Sequence, residues 1–174
     1  MPAHASESMQ GAQWRPMTEH DLDAVAAIAA IGFPDHYEGR DIFANRLAVF
    51  PAGCFSLGGK NGHLLGYLIA YPWLRESAPV LNGRIEAIPP NADLIYLHDL
   101  ALLPEVRGLG KARAIVEQLV ISVRAEGWPA LGLVAVNNAA SFWMRQGFRM
   151  VETPALRAKL ASYGAAACYM VREL

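Results

Sequence analysis

The chain of 174 residues is long enough for one domain with a sizeable core, and 53% of its residues are hydrophobic while 18% are charged, which excludes an intrinsically disordered chain. The 15 Lys and Arg residues balance 16 Asp and Glu residues, so the composition offers no basic surface for nucleic acid or for an anionic membrane. The two cysteines, Cys54 and Cys168, lie in separate apolar runs without the spacing of a zinc site, which predicts buried free thiols and no metal.

The first half of the chain predicts a tail, a short edge strand and two helices. Residues 1–12 are small and polar, which predicts a flexible tail without a targeting leader and a cytoplasmic protein. The strand is expected at residues 13–17. Apolar residues then recur at helical spacing in residues 22–29, after a cap at Thr18, and in residues 42–50. No apolar stretch approaches the roughly 20 residues that a membrane span needs.

The remaining elements predict one sheet with helices packed against it. Residues 74–91 are rich in proline and lack periodicity, which predicts a surface loop that borders a site. The strongest helical pattern covers residues 107–126, and a shorter helix is expected at residues 138–146. This order predicts a single α/β or α+β domain over residues 13–174 around one mixed sheet. The predicted strands are residues 54–57, 64–73, 93–103, 131–136, 148–151 and 166–171.

The most informative segment is the turn that leads from an apolar strand into the strongest helix. The first N–H groups of a helix lack intrahelical partners and carry part of the positive end of the helix dipole, so a pyrophosphate is a fitting occupant. Gly108 and Gly110 let the backbone approach phosphates, and Arg107, Lys111 and Arg113 add a local positive charge. A Walker A loop is excluded because no Ser or Thr follows the lysine, and the third glycine of a dinucleotide fingerprint is missing. A plain basic loop before a helix is the alternative.

This segment resembles the phosphate motif of the GNAT superfamily of acyl-CoA N-acyltransferases, which is met at Arg107, Gly110 and Ala112. A second segment, Asn-Ala-Ala-Ser-Phe-Trp-Met-Arg-Gln-Gly-Phe at residues 138–148, is similar to another pattern of that family. The resemblance implies one acetyltransferase domain, with a mixed and mostly antiparallel sheet of about six to seven strands flanked by about four helices, and acetyl-CoA as the co-substrate. The CoA-binding residues that it implies are Leu100, Ala101, Leu102, Arg107, Gly108, Leu109, Gly110, Lys111, Ala112, Arg113, Asn138, Ser141 and Trp143.

Within the superfamily, the run Tyr-Leu-His-Asp-Leu-Ala-Leu at residues 96–102 resembles the arylalkylamine (serotonin) N-acetyltransferase branch. That branch carries a histidine at the place of His98, in a relay that removes a proton, and Tyr96 stands where its companion histidine would be. The resemblance therefore implies a small primary amine as the acceptor. The oligomeric state is expected to be a monomer or a homodimer.

The chemistry of amine acetylation independently favours His98. The ammonium must lose a proton before it attacks the thioester, and a base that titrates near neutral pH contributes roughly 10²–10⁴ in rate. His98 lies in an apolar strand on the same face as Tyr96 by the period of two, although a hydrogen-bonded core histidine is the alternative. Asp99 alternates to the opposite face unless a bulge rotates it, and it is either structural or a partner of the acceptor ammonium. The predicted catalytic residues are thus His98, Tyr96 and Asp99.

One residue departs from the family pattern. Trp143 stands where the family usually has a tyrosine that protonates the departing thiolate, and an indole N–H does not release a proton near neutral pH. The thiolate then leaves unprotonated, or Ser141 or Tyr169 protonates it. Two other functions stay open: a non-catalytic CoA-binding sensor, which Trp143 favours, and acetylation of protein N-termini or lysines, which a long loop over the cleft disfavours.

Overall fold

The chain forms one seven-stranded sheet with helices on both faces, in a computed structural model that describes Met9 and residues 11–174. This confirms the predicted fold class, a helix-flanked α/β domain with a mixed and mostly antiparallel sheet. The strands are β1 (Gln13–Pro16), β2 (Cys54–Gly58), β3 (Leu64–Trp73), β4 (Leu94–Leu102), β5 (Ala130–Ala135), β6 (Arg149–Met150) and β7 (Cys168–Glu173). The helices of the described residues are α1 (Leu22–Gly32), α2 (Arg40–Val49), α3 (Lys111–Ala125), α4 (Ala140–Arg145) and α5 (Pro154–Lys159).

The strands lie in the order β1-β2-β3-β4-β5-β7-β6. All neighbours run antiparallel except β4 and β5, which are parallel. The parallel pairing is short, since its register contains only Ile95 with Leu131 and Tyr96 with Gly132, whereas β3 follows β4 along its whole length. Beyond Tyr96, β4 and β5 therefore separate and leave a cleft in the middle of the sheet.

Each face of the sheet buries its own apolar cluster. Successive residues of a strand point to opposite faces, so Tyr96 belongs to the cluster that also holds residues of α1, α2 and α5, while Leu97 packs with α3 and α4. The helical spacing predicted for α1 is confirmed, because its buried residues are Leu22, Val25, Ile28 and Ala29. The α1–α2 and α3–α4 layers thus lie on opposite faces of the sheet.

A β-bulge in β4 sets the direction of the two polar residues of this strand. Asp99 pairs with Ile69 and Leu97 pairs with Ala70, which leaves His98 as the extra residue. Such a bulge disturbs the strict alternation of a strand. As a result, the polar atoms of both His98 and Asp99 reach the same group of side chains. The bulge supplies the rotation without which Asp99 would point to the opposite face of the sheet.

The longest helix begins four residues later than the sequence pattern predicts. Pro104–Val106 forms a 3-10 turn, and Gly108 and Gly110 then take φ angles of +78° and +76°. A right-handed helix cannot include these angles, and only glycine adopts them at little cost. The residues before α3 consequently form an exposed loop at one end of the cleft.

The sequence analysis missed α5. Thr153 caps this helix, because its side chain accepts a hydrogen bond from the Leu156 N–H at 3.1 Å, and Pro154 fits the first turn. Only Leu156 is buried along it, so no apolar periodicity marks the segment. The 3-10 turn that follows, Leu160–Tyr163, brings Tyr163 to the cleft.

Most of the predicted tail, residues 1–12, lies outside the described residues. Within it, Met9 and the buried Ala12 pack against Leu57 and Val106. Across the part of the chain that the structure describes, no helix is both long and apolar enough to cross a membrane. The cytoplasmic location, the flexible tail and the oligomeric state stay predictions.

Candidate active site

A cavity of about 370 Å³ opens where β4 and β5 separate. Arg107 and Ala112, beside the start of α3, line one end of it. Glu38, His98 and Asp99 line the other end. The cavity therefore joins the N-terminus of a long helix to a group of titratable side chains.

At the α3 end, the backbone presents hydrogen-bond donors. The N–H of Ala114 donates to the carbonyl of Gly110 at 3.0 Å. This is the first hydrogen bond of the helix, so the N–H groups of Ala112 and Arg113 have no acceptor within it. The helix dipole adds partial positive charge at this point, and the end therefore suits an anionic group such as a pyrophosphate.

The three basic side chains predicted at this end take different directions. Arg107 lines the cavity. Lys111 turns towards the chain before β1, where its Nζ donates to the carbonyl of Ala12 at 2.7 Å. Arg113 is exposed, and its Nε donates to Glu117 Oε1 at 2.9 Å. Of these three side chains, Arg107 is the one placed on the cavity wall.

The other predicted CoA-binding residues fall into two groups. Those that line the cavity are Leu100, Leu102, Ala112 and Trp143. Ala101 is buried in the cluster on the α1 face, which is the consequence of strand alternation. The remainder are exposed residues that do not line the cavity wall, in the loop before α3 or at the start of α4: Gly108, Leu109, Gly110, Asn138 and Ser141.

Neither of the two alternative proton donors lies on the cavity wall. Ser141 is exposed on α4. The Tyr169 hydroxyl accepts a hydrogen bond from the Glu76 N–H at 2.9 Å and lines a different cavity. Trp143 is buried between the rings of Phe142 and Phe148, which both meet it edge to face.

At the opposite end, three titratable side chains from two distant segments meet. His98 Nε2 lies 2.5 Å from Glu38 Oε1, and His98 Nδ1 lies 3.0 Å from the Tyr71 hydroxyl. The Tyr67 hydroxyl donates to Asp99 Oδ2 at 2.9 Å. One polar atom from each of Glu38, His98 and Asp99 lies within 4.8 Å of the other two. Glu38 and His98 are hydrogen-bonded directly to each other, so the trio is arranged to share protons.

Burial and charge oppose each other in the Glu38–His98–Asp99 cluster. Burial lowers the pKa of His98, but the charges of Asp99 and Glu38 and the hydrogen bond to Glu38 outweigh it, so the pKa is raised above its ordinary 6.5. Burial raises the pKa of Asp99 to about 6. Burial also acts to raise the pKa of Glu38, but the hydrogen bond and charge of His98 prevail and lower it. Groups this close titrate as a unit, so a proton belongs to the cluster rather than to one residue.

Neutral tyrosines surround the cluster. Burial raises the pKa of Tyr67, Tyr71 and Tyr96. The ring of Tyr96 lies 5.8 Å from that of Tyr71 and 6.2 Å from that of His98. Tyr96, which was predicted to be catalytic, therefore forms a buried wall of the cavity and keeps its proton near neutral pH.

The proline-rich loop borders this end of the cavity, as predicted for residues 74–91. Leu81 lines the cavity. The Asn82 N–H donates to Glu38 Oε2 at 3.0 Å, and Asn82 Oδ1 accepts from the Gly39 N–H at 2.8 Å. Glu38 is thus held between the loop and His98, with one carboxylate oxygen committed to each.

Sequence reasoning missed Glu38. It lies in the linker between α1 and α2, where no periodicity marks it, and it is 60 residues away from His98 along the chain. A single acidic residue in a short linker is ordinarily solvated. Only its burial and its contact with His98 in the folded chain distinguish it from the exposed acidic residues.

Comparison with protein families identifies the chain. A model described as the acetyltransferase (GNAT) family matches residues 15–148. A curated relative, serotonin N-acetyltransferase 2, chloroplastic, from Oryza sativa subsp. japonica, is 33% identical over 82 residues, which cover 45% of this chain and 41% of the relative. The match thus spans about two fifths of the length of that relative.

Solved structures share the fold. Ard1 from Thermoplasma volcanium has a TM-score of 0.72 at 14% identity, with 94% of this chain and 97% of that chain covered. The PaiA N-acetyltransferase from Thermoplasma acidophilum, solved in complex with coenzyme A, has a TM-score of 0.65 at 13% identity, with 94% of this chain and 99% of that chain covered. At these identities the likeness concerns the fold.

Proposed function

Because this chain belongs to the acetyltransferase (GNAT) family, we propose that it transfers the acetyl group of acetyl-CoA to a small primary amine. The observation that carries the proposal is one cavity of about 370 Å³ that joins the N-terminus of α3 to the Glu38–His98–Asp99 cluster. A donor that carries phosphates fits the first end, and a cationic nucleophile fits the second.

The donor occupies the α3 end and the gap between the strands. The pyrophosphate of acetyl-CoA accepts hydrogen bonds from the N–H groups of the Gly110–Arg113 turn, and Arg107 contributes charge. The pantetheine arm lies along β4 beyond Tyr96, where this strand is no longer paired with β5. It offers amide groups to strand edges that would otherwise face water, as an added strand does.

The acceptor binds as an ammonium ion at the carboxylates of Glu38 and Asp99. Hydrogen bonds between opposite charges are about twice as strong as neutral ones. The cluster then takes one proton and leaves a lone pair on the amine nitrogen. Phe33, Leu81 and Tyr163 line this part of the cavity, so the rest of the acceptor is apolar, and a carboxylate on it would be repelled by the cluster.

Transfer itself forms a bond between the amine nitrogen and the acetyl carbonyl carbon, and it breaks the bond between that carbon and sulfur. The CoA thiolate leaves with the electron pair, and the nitrogen gives up its second proton to the departing sulfur or to solvent, which leaves a neutral amide. A thiol has an ordinary pKa near 8.5, so the thiolate departs without the strong acid that an alkoxide would require. Trp143 packs against the donor in this scheme and transfers no proton.

The loop of residues 74–91 favours a small acceptor over a polypeptide. It covers the cluster from the solvent side through the contacts of Leu81 and Asn82. A protein N-terminus or a lysine on a folded surface would have to displace it.

A thiol-release assay tests this function. The purified protein is incubated with acetyl-CoA and, in separate reactions, with arylalkylamines, polyamines, aminoglycosides, amino acids and a peptide with a free N-terminus. We expect release above the acceptor-free background with amines that carry one amino group on an apolar body. Binding of CoA without release for any acceptor would indicate a non-catalytic sensor, and release with the peptide alone would replace the small amine by a polypeptide.

A further inference from the structure

Arg46 is a charged side chain buried completely in the core, at 0% exposure on α2. Its Nη1 donates to Asn45 Oδ1 at 2.7 Å and its Nη2 donates to the carbonyl of Gly83 at 2.9 Å. Both acceptors are neutral, and the ion pairs formed within residues 11–174 do not include Arg46. A buried cation without a carboxylate in contact is costly to fold unless more distant negative charges compensate it.

Tyr71 lies between Arg46 and the proton-sharing cluster. The guanidinium carbon of Arg46 lies 5.4 Å from the centre of the Tyr71 ring. The hydroxyl of the same tyrosine is 3.0 Å from His98 Nδ1. The guanidinium therefore faces the ring whose hydroxyl contacts His98, and its charge acts on the carboxylates of Glu38 and Asp99.

The acidic and aromatic groups packed around His98 bring no positive charge to oppose the two carboxylates. Glu38 comes from the α1–α2 linker and Asp99 from β4, and both are acidic. Tyr67 and Tyr71 of β3, Tyr96 of β4 and Tyr163 of the Leu160–Tyr163 turn are neutral, because burial raises the pKa of each. Beside burial and the mutual effects within the cluster, the positive charge of Arg46 acts on Glu38, His98 and Asp99 alike, in the direction that lowers the pKa of all three.

We propose that Arg46 is a positioning residue of the acetyl transfer, whose buried charge opposes the carboxylates of Glu38 and Asp99 and keeps His98 able to give up its proton near neutral pH. Without this charge, the two carboxylates would hold His98 in its protonated form, and the cluster would no longer accept a proton from the ammonium. The kinetic consequence rests on the proposed function, whereas the effect on His98 does not.

The test is an NMR titration of the His98 side chain in protein labelled at histidine, with the signal assigned by its loss in His98→Gln. In Arg46→Gln we expect the His98 titration to move up by about half a pH unit to one pH unit. The reason is that the substitution removes the repulsion between the Arg46 charge and protonated His98. In Arg46→Lys, which keeps the charge, the titration should stay near that of the wild type. A residue that only fills space would give the same titration in all three proteins.

A matched pair at position 45 decides the question even where Arg46→Gln fails to fold. Asn45→Asp places a carboxylate on Arg46 Nη1 and offsets its charge without removing it, so the titration should move up. Asn45→Ala removes the side-chain contacts to Ile85 and Arg46 and adds no charge, so the titration should not move even though stability falls. An unchanged titration in Asn45→Asp would overturn the role of Arg46.

The acyl-transfer assay then separates the two proposals. If turnover exists, the acidic limb of its pH profile should move with the NMR titration across these variants. A protein that shows no turnover but titrates as expected would contradict the proposed function and leave the electrostatic role of Arg46 standing. Turnover with an unmoved titration would do the reverse.

Discussion

The two ends of the cavity are built in different ways. The α3 end comes from one short segment, Arg107 to Arg113, which places Arg107 and Ala112 on the cavity wall and carries two glycines at positive φ just before the first N–H groups of the helix. The cluster end consists of side chains from the α1–α2 linker, β3 and β4, held by hydrogen bonds such as that between Glu38 and His98. A site made of backbone in one short segment can be read in a sequence, whereas a site made of distant side chains emerges only when the chain folds.

The largest effect is expected from a substitution that disables the cluster end and leaves the α3 end intact. In His98→Gln the side chain keeps a hydrogen-bonding group but loses the base, so kcat/KM for the amine should fall on the order of 100-fold near neutral pH. CoA affinity, measured by calorimetry, should change little. His63→Gln on the exposed hairpin is the matched control. A rate close to that of the wild type, with the fold preserved, would mean that His98 is a core residue.

The second largest effect is expected from a substitution that distorts the α3 end. In Gly110→Val a β-branched residue must take a φ of +76°, which is strained by roughly 1–2 kcal/mol. The loop is then expected to rearrange and to lose hydrogen bonds to the pyrophosphate, each worth roughly 1.5–3 kcal/mol for a charged partner. CoA affinity should therefore fall at least about tenfold.

Gly62→Val is a matched control for that variant. Gly62 has a φ of +74° and, like Gly110, open space where a Cβ would be, so both substitutions carry the same backbone strain. Thermal unfolding should show similar losses of stability, while only Gly110→Val weakens CoA binding. Equal CoA affinities in the two folded variants would contradict the proposal that the pyrophosphate binds at this turn.

The sequence predicted the order of the elements because local patterns determine most of them. The alternation of β4, the helical spacing of α1 and the glycines before α3 are all short-range signals. The start of α3 was misplaced because the positive φ angles of Gly108 and Gly110 interrupt a composition that otherwise reads as helix. The helix α5 escaped because Leu156 is its single buried residue.

The chemistry of the cluster could be predicted only in part. His98 is recognisable in the sequence as a titratable residue in an apolar strand. The effect of a bulge on Asp99 can be anticipated, but the position of the bulge cannot. The roles of Glu38, Tyr71 and Arg46 carry no local signal, because they depend on contacts across 25 to 60 residues of chain, from that of Arg46 with Tyr71 to that of Glu38 with His98. That the pKa of His98 is raised, although burial lowers it, follows only from the positions of Glu38 and Asp99 in the folded chain.

The smallest expected effect lies on the wall between the two ends. Trp143→Phe keeps an aromatic ring beside Phe142 and Phe148 and removes the indole N–H, so kcat should change by less than about threefold, which is a packing effect below roughly 0.7 kcal/mol. Trp143→Tyr restores the phenol that the family usually carries and should give an equal or higher kcat. A collapse of single-turnover rate in Trp143→Phe, with CoA affinity unchanged, would show that the indole N–H takes part in the transfer.

The pH dependence of kcat/KM for the amine, compared between the wild type and His98→Gln, tests most directly whether the cluster accepts the ammonium proton. The pKa of His98 is raised above 6.5, and the proposed base is its neutral form, so wild-type kcat/KM should rise with pH and level off above that pKa. The variant depends on amine that is already neutral, so its kcat/KM should continue to rise towards the pKa of the amine and approach the wild type at high pH. Profiles that level off at the same pH in both proteins would contradict the account.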